Sequence, residues 1–373
     1  MTSPACRRNN SAGVQRLSSY ARSASTQRRT YSPICVYSAP RTGLRVRSLR
    51  LLDLVAQSTS AAPTLPAGWG FPGAHHFADA VRTCPLRLVL ADDLIQYTTR
   101  LAYVEGERLS GCLDLIHVPS QQVWLEWLEA TRQSTLRGVP AYAGARCSNV
   151  RRTGVLITAD PAGRAGTMRT FWSTQNEQVY SAALLTDFDL DRVIRPALDV
   201  DAVFSGAAFG AVMPVEAALD ELLGHVCFRL DPTWATYYRA ADLTHSQQSQ
   251  VLREVLGTMA FDMPMILALF LLFAAKDGLQ RRAADLERLN RARRCSGKRP
   301  LLEHIEVRAP IAASYQDPAS PAANANRRRG PRLHHVRGHI VRRGEKVFWR
   351  LPHLRGSARL GVVRSRTVQL SYH

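Results

Sequence analysis

The feature that most constrains the fold is a run of thirteen apolar residues, MPMILALFLLFAA, from Met263 to Ala275. A helix rises about 1.5 Å per residue, so this run covers roughly 20 Å, which is short of the ~30 Å hydrocarbon core of a membrane. Because the run is apolar on every side, it predicts a helix that is enclosed by protein in a globular core. We therefore expect a domain built around this helix, and no membrane partner.

The segments before this helix predict an antiparallel sheet, and those around it predict further helices, so the expected fold class is α+β with C-terminal helices packed on the sheet. Residues 77–104 have a helical pattern. CLDLIH and QQVWLEW, joined by VPS, predict a hairpin. GVLITA and TMRTFWS flank DPAG, a turn sequence, and EQVYSAALL predicts a further strand. Helical patterns return at Pro214 and continue to residue 294.

Charge divides the chain into parts. Residues 1–50 carry +10 and residues 327–373 carry +12, which leaves −3 for the remainder. We predict four segments: a disordered basic segment at 1–60, an α+β core at 61–308, a flexible linker at 309–332 and a small basic β-rich module at 333–373. For the first segment two other interpretations stay open, an organellar transit peptide and a start codon assigned too far upstream.

The sequence contains no enzyme signature. A glycine-rich phosphate loop, a GxSxG elbow and an HExxH motif are all missing, so we expect neither an enzyme nor a cofactor. The seven cysteines are scattered without CxxC spacing, which favours reduced thiols and a cytoplasmic location over a disulfide framework.

The basic tail, HHVRGHIVRRGEKVFWRLPHLRG from His334 to Gly356, predicts an anion-binding hairpin. Arginine binds phosphate through a forked pair of donors, and aromatic rings between arginines are typical of RNA or single-stranded nucleic acid recognition. Alternation along the strand places Phe348 and Trp349 on opposite faces, so one ring can anchor the hairpin while the other binds. The candidate nucleic-acid-binding residues are Arg337, Arg342, Arg343, Lys346, Phe348, Trp349, Arg350 and Arg355.

The histidines of the tail allow a second interpretation, a metal-dependent nuclease. His335 and His339 have HxxxH spacing and would share a face of a strand, and His334 or His353 could complete a metal site. Against this, Glu345 is the only acidic residue in the segment, and the many arginines of the segment disfavour a bound cation. A basic binding face is therefore the favoured interpretation, with no metal.

Several segments together resemble a family of phage and prophage proteins named for a type V-A anti-CRISPR inhibitor. These are SQQVWLEW, the apolar helix ending in FAAKDG, LERLNRARRCSGKRPLLEHIEV and the basic tail, in that order, over about 113–373. The resemblance implies a non-enzymatic inhibitor that recognises a CRISPR effector protein, or its nascent chain, and suppresses its production. A basic tail that contacts RNA or the ribosome would suit that role. The alternative is a general nucleic-acid-binding protein of a mobile element.

Overall fold

The computed structural model describes most of residues 49–309 and the strands of the tail; the described residues all belong to one compact unit, Arg41–His373. In numbers, they are 49–58, 64–65, 69–70, 74–136, 150–210, 217–232, 234, 244–246, 249, 262–276, 278–309, 332–336, 339–350, 353–355 and 357–362. The helices are α1 (Leu51–Gln57), α2 (Ala78–Thr83), α3 (Asp92–Val104), α4 (Gly106–Ser110), α5 (Glu129–Leu136), α6 (Val200–Phe204), α7 (Ala217–Leu223), α8 (Asp262–Ala274) and α9 (Glu287–Cys295). The strands are β1 (Thr64–Leu65), β2 (Trp69–Gly70), β3 (Leu86–Leu90), β4 (Gln122–Leu128), β5 (Val150–Ala159), β6 (Ala165–Thr174), β7 (Val179–Asp189), β8 (Phe209–Gly210), β9 (Val226–Leu230), β10 (Gln280–Ala283), β11 (Ile305–Arg308), β12 (Arg332–Val336), β13 (His339–Arg343), β14 (Lys346–Arg350), β15 (His353–Arg355) and β16 (Ser357–Val362).

The described part of the chain contains a mostly antiparallel nine-stranded sheet, in the order β10-β11-β3-β4-β5-β6-β7-β9-β8. Only β3 runs parallel to its neighbours, β11 on one side and β4 on the other. The predicted α+β class is confirmed, and so is the predicted hairpin near the C-terminus.

The strand prediction was right where the turn chemistry was strong. GVLITA and TMRTFWS lie in β5 and β6, and EQVYSAALL lies mainly in β7. In the turn between β5 and β6, Gly163 has a φ of 69°, a left-handed conformation that glycine adopts without steric cost. The Asp160 carboxylate accepts from the backbone N–H of Arg164 at 2.7 Å and so fixes this turn.

The prediction was wrong where short apolar runs were ambiguous. Within the predicted helix at 77–104, residues Leu86–Leu90 form β3, because LRLVL lies between two parallel neighbours that supply its hydrogen bonds. CLDLIH does not pair with β4; it contains a 3₁₀ turn at Leu113–Leu115, and β4 pairs with β3 and β5 instead. The helical region expected after Pro214 is interrupted by β9 and β10.

The apolar run forms the predicted central helix. In α8 every residue from Asp262 to Leu272 is buried, and its apolar side chains belong to the main hydrophobic cluster of the sheet. No helix among the described residues is long and apolar enough to cross a membrane.

The core begins earlier than predicted, because α1 belongs to it. Leu51 and Leu52 are fully buried, so the prediction of disorder up to residue 60 was wrong for this helix. The backbone N–H groups of both residues donate to the carboxylate of Glu126 on β4, each at 2.9 Å. A carboxylate at the N-terminus of a helix satisfies donors that lack partners within the helix. Glu126, itself fully buried, also pairs with Arg152 at 2.8 Å.

A buried ionic network joins the end of the sheet to α8. Arg132 of α5 pairs with Glu129 at 2.7 Å and with Asp262, and all three side chains are at most 6% exposed. Glu129 also accepts from the Thr153 hydroxyl at 2.8 Å and the Trp127 indole at 3.2 Å. Burial raises the pKa of Asp262 to about 7, although the nearby Arg132 guanidinium acts in the opposite direction.

We predict that the two ends of this network respond unequally to substitution. Arg132→Met leaves the buried Glu129 carboxylate and the buried Asp262 carboxyl group without their cation and should lower the free energy of unfolding by about 3 kcal/mol or more. Asp262→Asn preserves the Arg132–Glu129 pair and should lower it much less. Urea unfolding of both variants at neutral pH measures the difference, and equal losses would contradict the assignment.

The raised pKa of Asp262 predicts a specific pH dependence. The folded protein holds a proton on this carboxyl that the unfolded chain releases near pH 4, so its contribution to stability should fall as the pH rises toward about 7. Between about pH 5 and about pH 8 the wild type should therefore lose stability relative to Asp262→Asn. Paired urea titrations test this, and a constant difference would show that Asp262 does not titrate in this window.

Candidate nucleic-acid interface

The hairpin of β13 and β14 is the best-defined part of the basic tail. Its register pairs Arg343 with Lys346 next to the turn and His339 with Arg350 at the open end. Gly344 opens the turn with a φ of 59°. Two-residue hairpin turns with a positive φ at their first central position favour glycine there, because other residues meet a steric penalty.

The inner face of the hairpin belongs to the protein core. Ile340, Val347 and Trp349 are less than 10% exposed and lie in the same hydrophobic cluster as α8. The Trp349 ring meets Tyr97 of α3 edge to face, with ring centroids 4.5 Å apart. The hairpin is therefore anchored to the domain and shares its hydrophobic core. The linker predicted at 309–332 does not set the hairpin apart as a module with a core of its own. Of that segment, residues 310–331 lie outside the described residues.

Arg342 lies on the same face of β13 as Ile340, and its side chain binds to the domain. Its guanidinium donates to both carboxylate oxygens of Asp114, at 2.9 and 2.7 Å, and to the Gly111 carbonyl at 2.8 Å. Arg342 was predicted to bind nucleic acid, yet these contacts occupy its donors with protein acceptors. Asp114 lies 228 residues away in sequence, so no local sequence pattern indicates this ion pair.

On the outer face, cations without an ion pair among the described residues lie around one aromatic ring. Arg343, Lys346 and Arg350 are exposed, and none of them has an ion pair within the described part of the chain. Phe348 is half-buried and has the same parity, so it lies among them. Arg343 and Lys346 are directly opposite each other, an arrangement of like charges that destabilises a sheet. An anion bound between these two side chains would relieve their repulsion.

Trp349 and Phe348 thus divide the two roles that alternation predicts. Trp349 faces the core and anchors the hairpin, so its ring is not available for a base to stack on. Phe348 faces outward. Its backbone forms a parallel bridge with Lys276, and the Lys276 N–H donates to the Val347 carbonyl at 3.4 Å. These contacts place the outer face beside the end of α8.

The remaining predicted residues are spread over two sheets. Arg355 is exposed on β15, and Arg337 lies outside the described residues. His334 and His335 are on β12 and His353 is on its partner β15, whereas His339 is on β13 in the separate two-stranded sheet. The expectation that His335 and His339 share one strand was therefore wrong. Among the residues whose side chains are described, no group of three or more His, Cys, Asp or Glu could hold a metal ion.

Comparisons of the chain with family models, with curated proteins and with solved structures gave no match.

We predict that the two neighbouring aromatic residues differ in their effect on stability. Trp349→Ala removes a buried ring from the core and should lower the free energy of unfolding by about 3 kcal/mol. Phe348→Ala removes a ring that is only partly buried, so the loss should be clearly smaller. Chemical denaturation of both variants checks the order. A larger loss for Phe348→Ala would mean that the faces of the hairpin are assigned the wrong way round.

Proposed function

We propose that this chain is a non-enzymatic RNA-binding protein and that the outer face of the hairpin contacts the RNA. One observation carries the proposal. Three exposed cations, Arg343, Lys346 and Arg350, surround the half-buried ring of Phe348 and have no acidic partner among the described residues. The inner face is packed into the core, so the outer side chains project from a backbone that is fixed before any ligand arrives.

The chemistry of this face suits a single strand of RNA better than an isolated anion. Guanidinium and ammonium groups bind phosphates, and an aromatic ring offers a flat apolar surface on which an unpaired base stacks. Recognition of single-stranded RNA by an exposed sheet face uses the same combination of aromatic and basic side chains. A small phosphate or carboxylate ligand would need the cations but would leave the ring without a role.

We further propose a cellular role from the resemblance to the type V-A anti-CRISPR family. In that role the core recognises a protein target, a CRISPR effector or its nascent chain, while the hairpin contacts messenger or ribosomal RNA. The resemblance and the basic outer face support this proposal jointly, because the resemblance implies a protein target and the outer face suits RNA. Without a protein target, the same surface supports a general nucleic-acid-binding protein of a mobile element.

We predict that the outer face determines RNA affinity and its dependence on salt. Arg343→Gln, Lys346→Gln and Arg350→Gln together should weaken binding of a single-stranded 20-nucleotide RNA by about tenfold or more and reduce the salt slope by about two, since each phosphate contact contributes roughly 0.7. Phe348→Ala should weaken binding with little change in slope, because stacking releases no counterions. Fluorescence anisotropy over a series of salt concentrations measures both quantities.

Arg342 provides a matched control for this experiment. Arg342→Gln removes the same charge from the same strand as Arg343→Gln, but Arg342 already donates to Asp114. Only Arg343→Gln should lower the salt slope. Equal effects of the two variants would show that binding follows net charge and not this face.

To test the cellular role, the protein would be captured from host lysate with and without RNase; a protein target that stays bound after RNase supports the two-partner role.

A further inference from the structure

Helix α9 lies in an excursion that the sheet itself does not require. Strands β10 and β11 are antiparallel neighbours, with Ala283 opposite Ile305. Two residues are enough to join such strands, yet residues 284–304 intervene. Ordered excursions from a rigid sheet are frequent carriers of function.

Hydrogen bonds, and not the burial of apolar side chains, hold this helix in place. None of the residues of α9 is buried. The side chain of Asn290 donates to the Leu301 carbonyl at 3.0 Å and accepts from the Leu301 N–H at 2.7 Å, and Arg293 donates to the Arg299 carbonyl at 2.8 Å. The helix therefore contributes little to the hydrophobic core. Its hydrogen bonds fix it against the returning segment of the excursion, where the Leu302 N–H donates to Asp53 of α1 at 2.8 Å.

The charged side chains of this segment, from residue 288 to residue 302, are all cationic. Residues 288–302 contain five arginines, one lysine and no acid. Arg288, Arg291 and Arg294 recur every third residue and so fall within an arc of about 120° of the helix. Arg291 pairs with Glu287 at 2.9 Å, although both side chains are more than 70% exposed and such a pair is weak. Arg288, Arg294 and Lys298 make no ion pair within the described residues.

Helix electrostatics explains only part of this pattern. Cations in the last turn, such as Arg294, complement the negative end of the helix dipole. Arg288, by contrast, lies in the first turn, where a cation faces the positive end. Arginines three residues apart also repel each other. A bound anion would remove both costs.

The strand that leads into the excursion, β10, begins close to the hairpin. Lys276 pairs with Phe348 of β14, and β10 starts only four residues later, at Gln280. At about 3.3 Å per residue the backbone separation is at most roughly 13 Å. All residues of β10 are exposed, including Arg282, which lies along the chain between Lys276, the residue that pairs with the hairpin, and α9. Helix α9 begins at Glu287, eleven residues after Lys276, so by the same measure its start lies at most roughly 36 Å from that contact. A 20-nucleotide strand spans this distance even at the roughly 3.4 Å per nucleotide of a duplex.

We propose that α9 and Lys298 form a second phosphate-binding surface for the RNA that contacts the hairpin. This inference rests on the proposed function for the nature of the ligand, but on its own residues for the site. The helix carries arginines and no aromatic ring, so it binds the backbone and positions the strand, while Phe348 contacts a base.

The first test removes the three arginines of the arc. Arg288→Gln, Arg291→Gln and Arg294→Gln together should weaken binding of a 20-nucleotide RNA by about tenfold or more and lower the salt slope by about two. The control is Arg100→Gln, Arg108→Gln and Arg192→Gln, which removes equal charge from exposed positions elsewhere. Circular dichroism verifies that the variants are folded. If the arc variant and the control bind alike, the proposal is overturned.

Comparison with the hairpin variants separates this proposal from the proposed function. Loss of binding in both sets supports both surfaces. Loss only in the hairpin set overturns the α9 surface and leaves the proposed function intact. Loss only in the α9 set overturns the contact between the hairpin and RNA and leaves the α9 surface as an RNA-binding site. If the wild type binds no RNA, both fail.

A second test uses the exposed thiol of Cys295 at the end of α9. A benzophenone maleimide attached there should form photo-crosslinks with labelled RNA, and Cys295→Ser reports the background from other cysteines. Duplex DNA and phosphatidylserine vesicles are run in parallel arms. Crosslinks to RNA above the background support the site, and their absence overturns it. Stronger binding to the vesicles or to DNA than to RNA, if weakened by the arc variant, would overturn RNA as its ligand.

Discussion

A helix that is apolar on every side has to be enclosed by protein on every side, and α8 imposes this requirement on the whole domain. Its side chains, from Met263 to Leu272, share one cluster with the sheet, with α3 and with the hairpin. Burial of apolar surface is the dominant favourable term in folding, so elements that cover α8 are held strongly. The hairpin is one of these elements, through Ile340, Val347 and Trp349.

This role in the core determines what the outer face of the hairpin can do. An isolated two-stranded hairpin is marginally stable in water. Here the inner face is packed and Arg342 is clamped to Asp114, so the outer cations are presented from a fixed scaffold. A binding surface that is ordered in advance avoids part of the entropy cost of association. The basic outer face and the apolar inner face thus follow from one alternating sequence.

Charge is handled differently in the interior and on these surfaces. Buried carboxylates have partners: Glu126 binds the N-terminus of α1 and Arg152, and Glu129 and Asp262 share Arg132. Asp53 is also buried, which raises its pKa to about 6, and it accepts from the Leu302 N–H. On the hairpin and on α9, by contrast, exposed arginines stand close to one another. Interior charges thus join elements that are distant in sequence, whereas most of these surface cations have no acidic partner among the described residues.

The sequence by itself determined the elements whose signal is local. The length and composition of Met263–Ala275 predict a buried helix, DPAG predicts the turn between β5 and β6, and Gly344 predicts the turn of the hairpin. Alternation also predicted that Phe348 and Trp349 face opposite sides. Only the tertiary structure decided which of the two is buried, because that depends on Tyr97 far away in the chain. It likewise decided that LRLVL is a strand, that Leu51 and Leu52 belong to the core, and that Arg342 is held by Asp114. These outcomes depend on partners tens to hundreds of residues distant, and a local pattern carries no information about which partner the folded chain will supply.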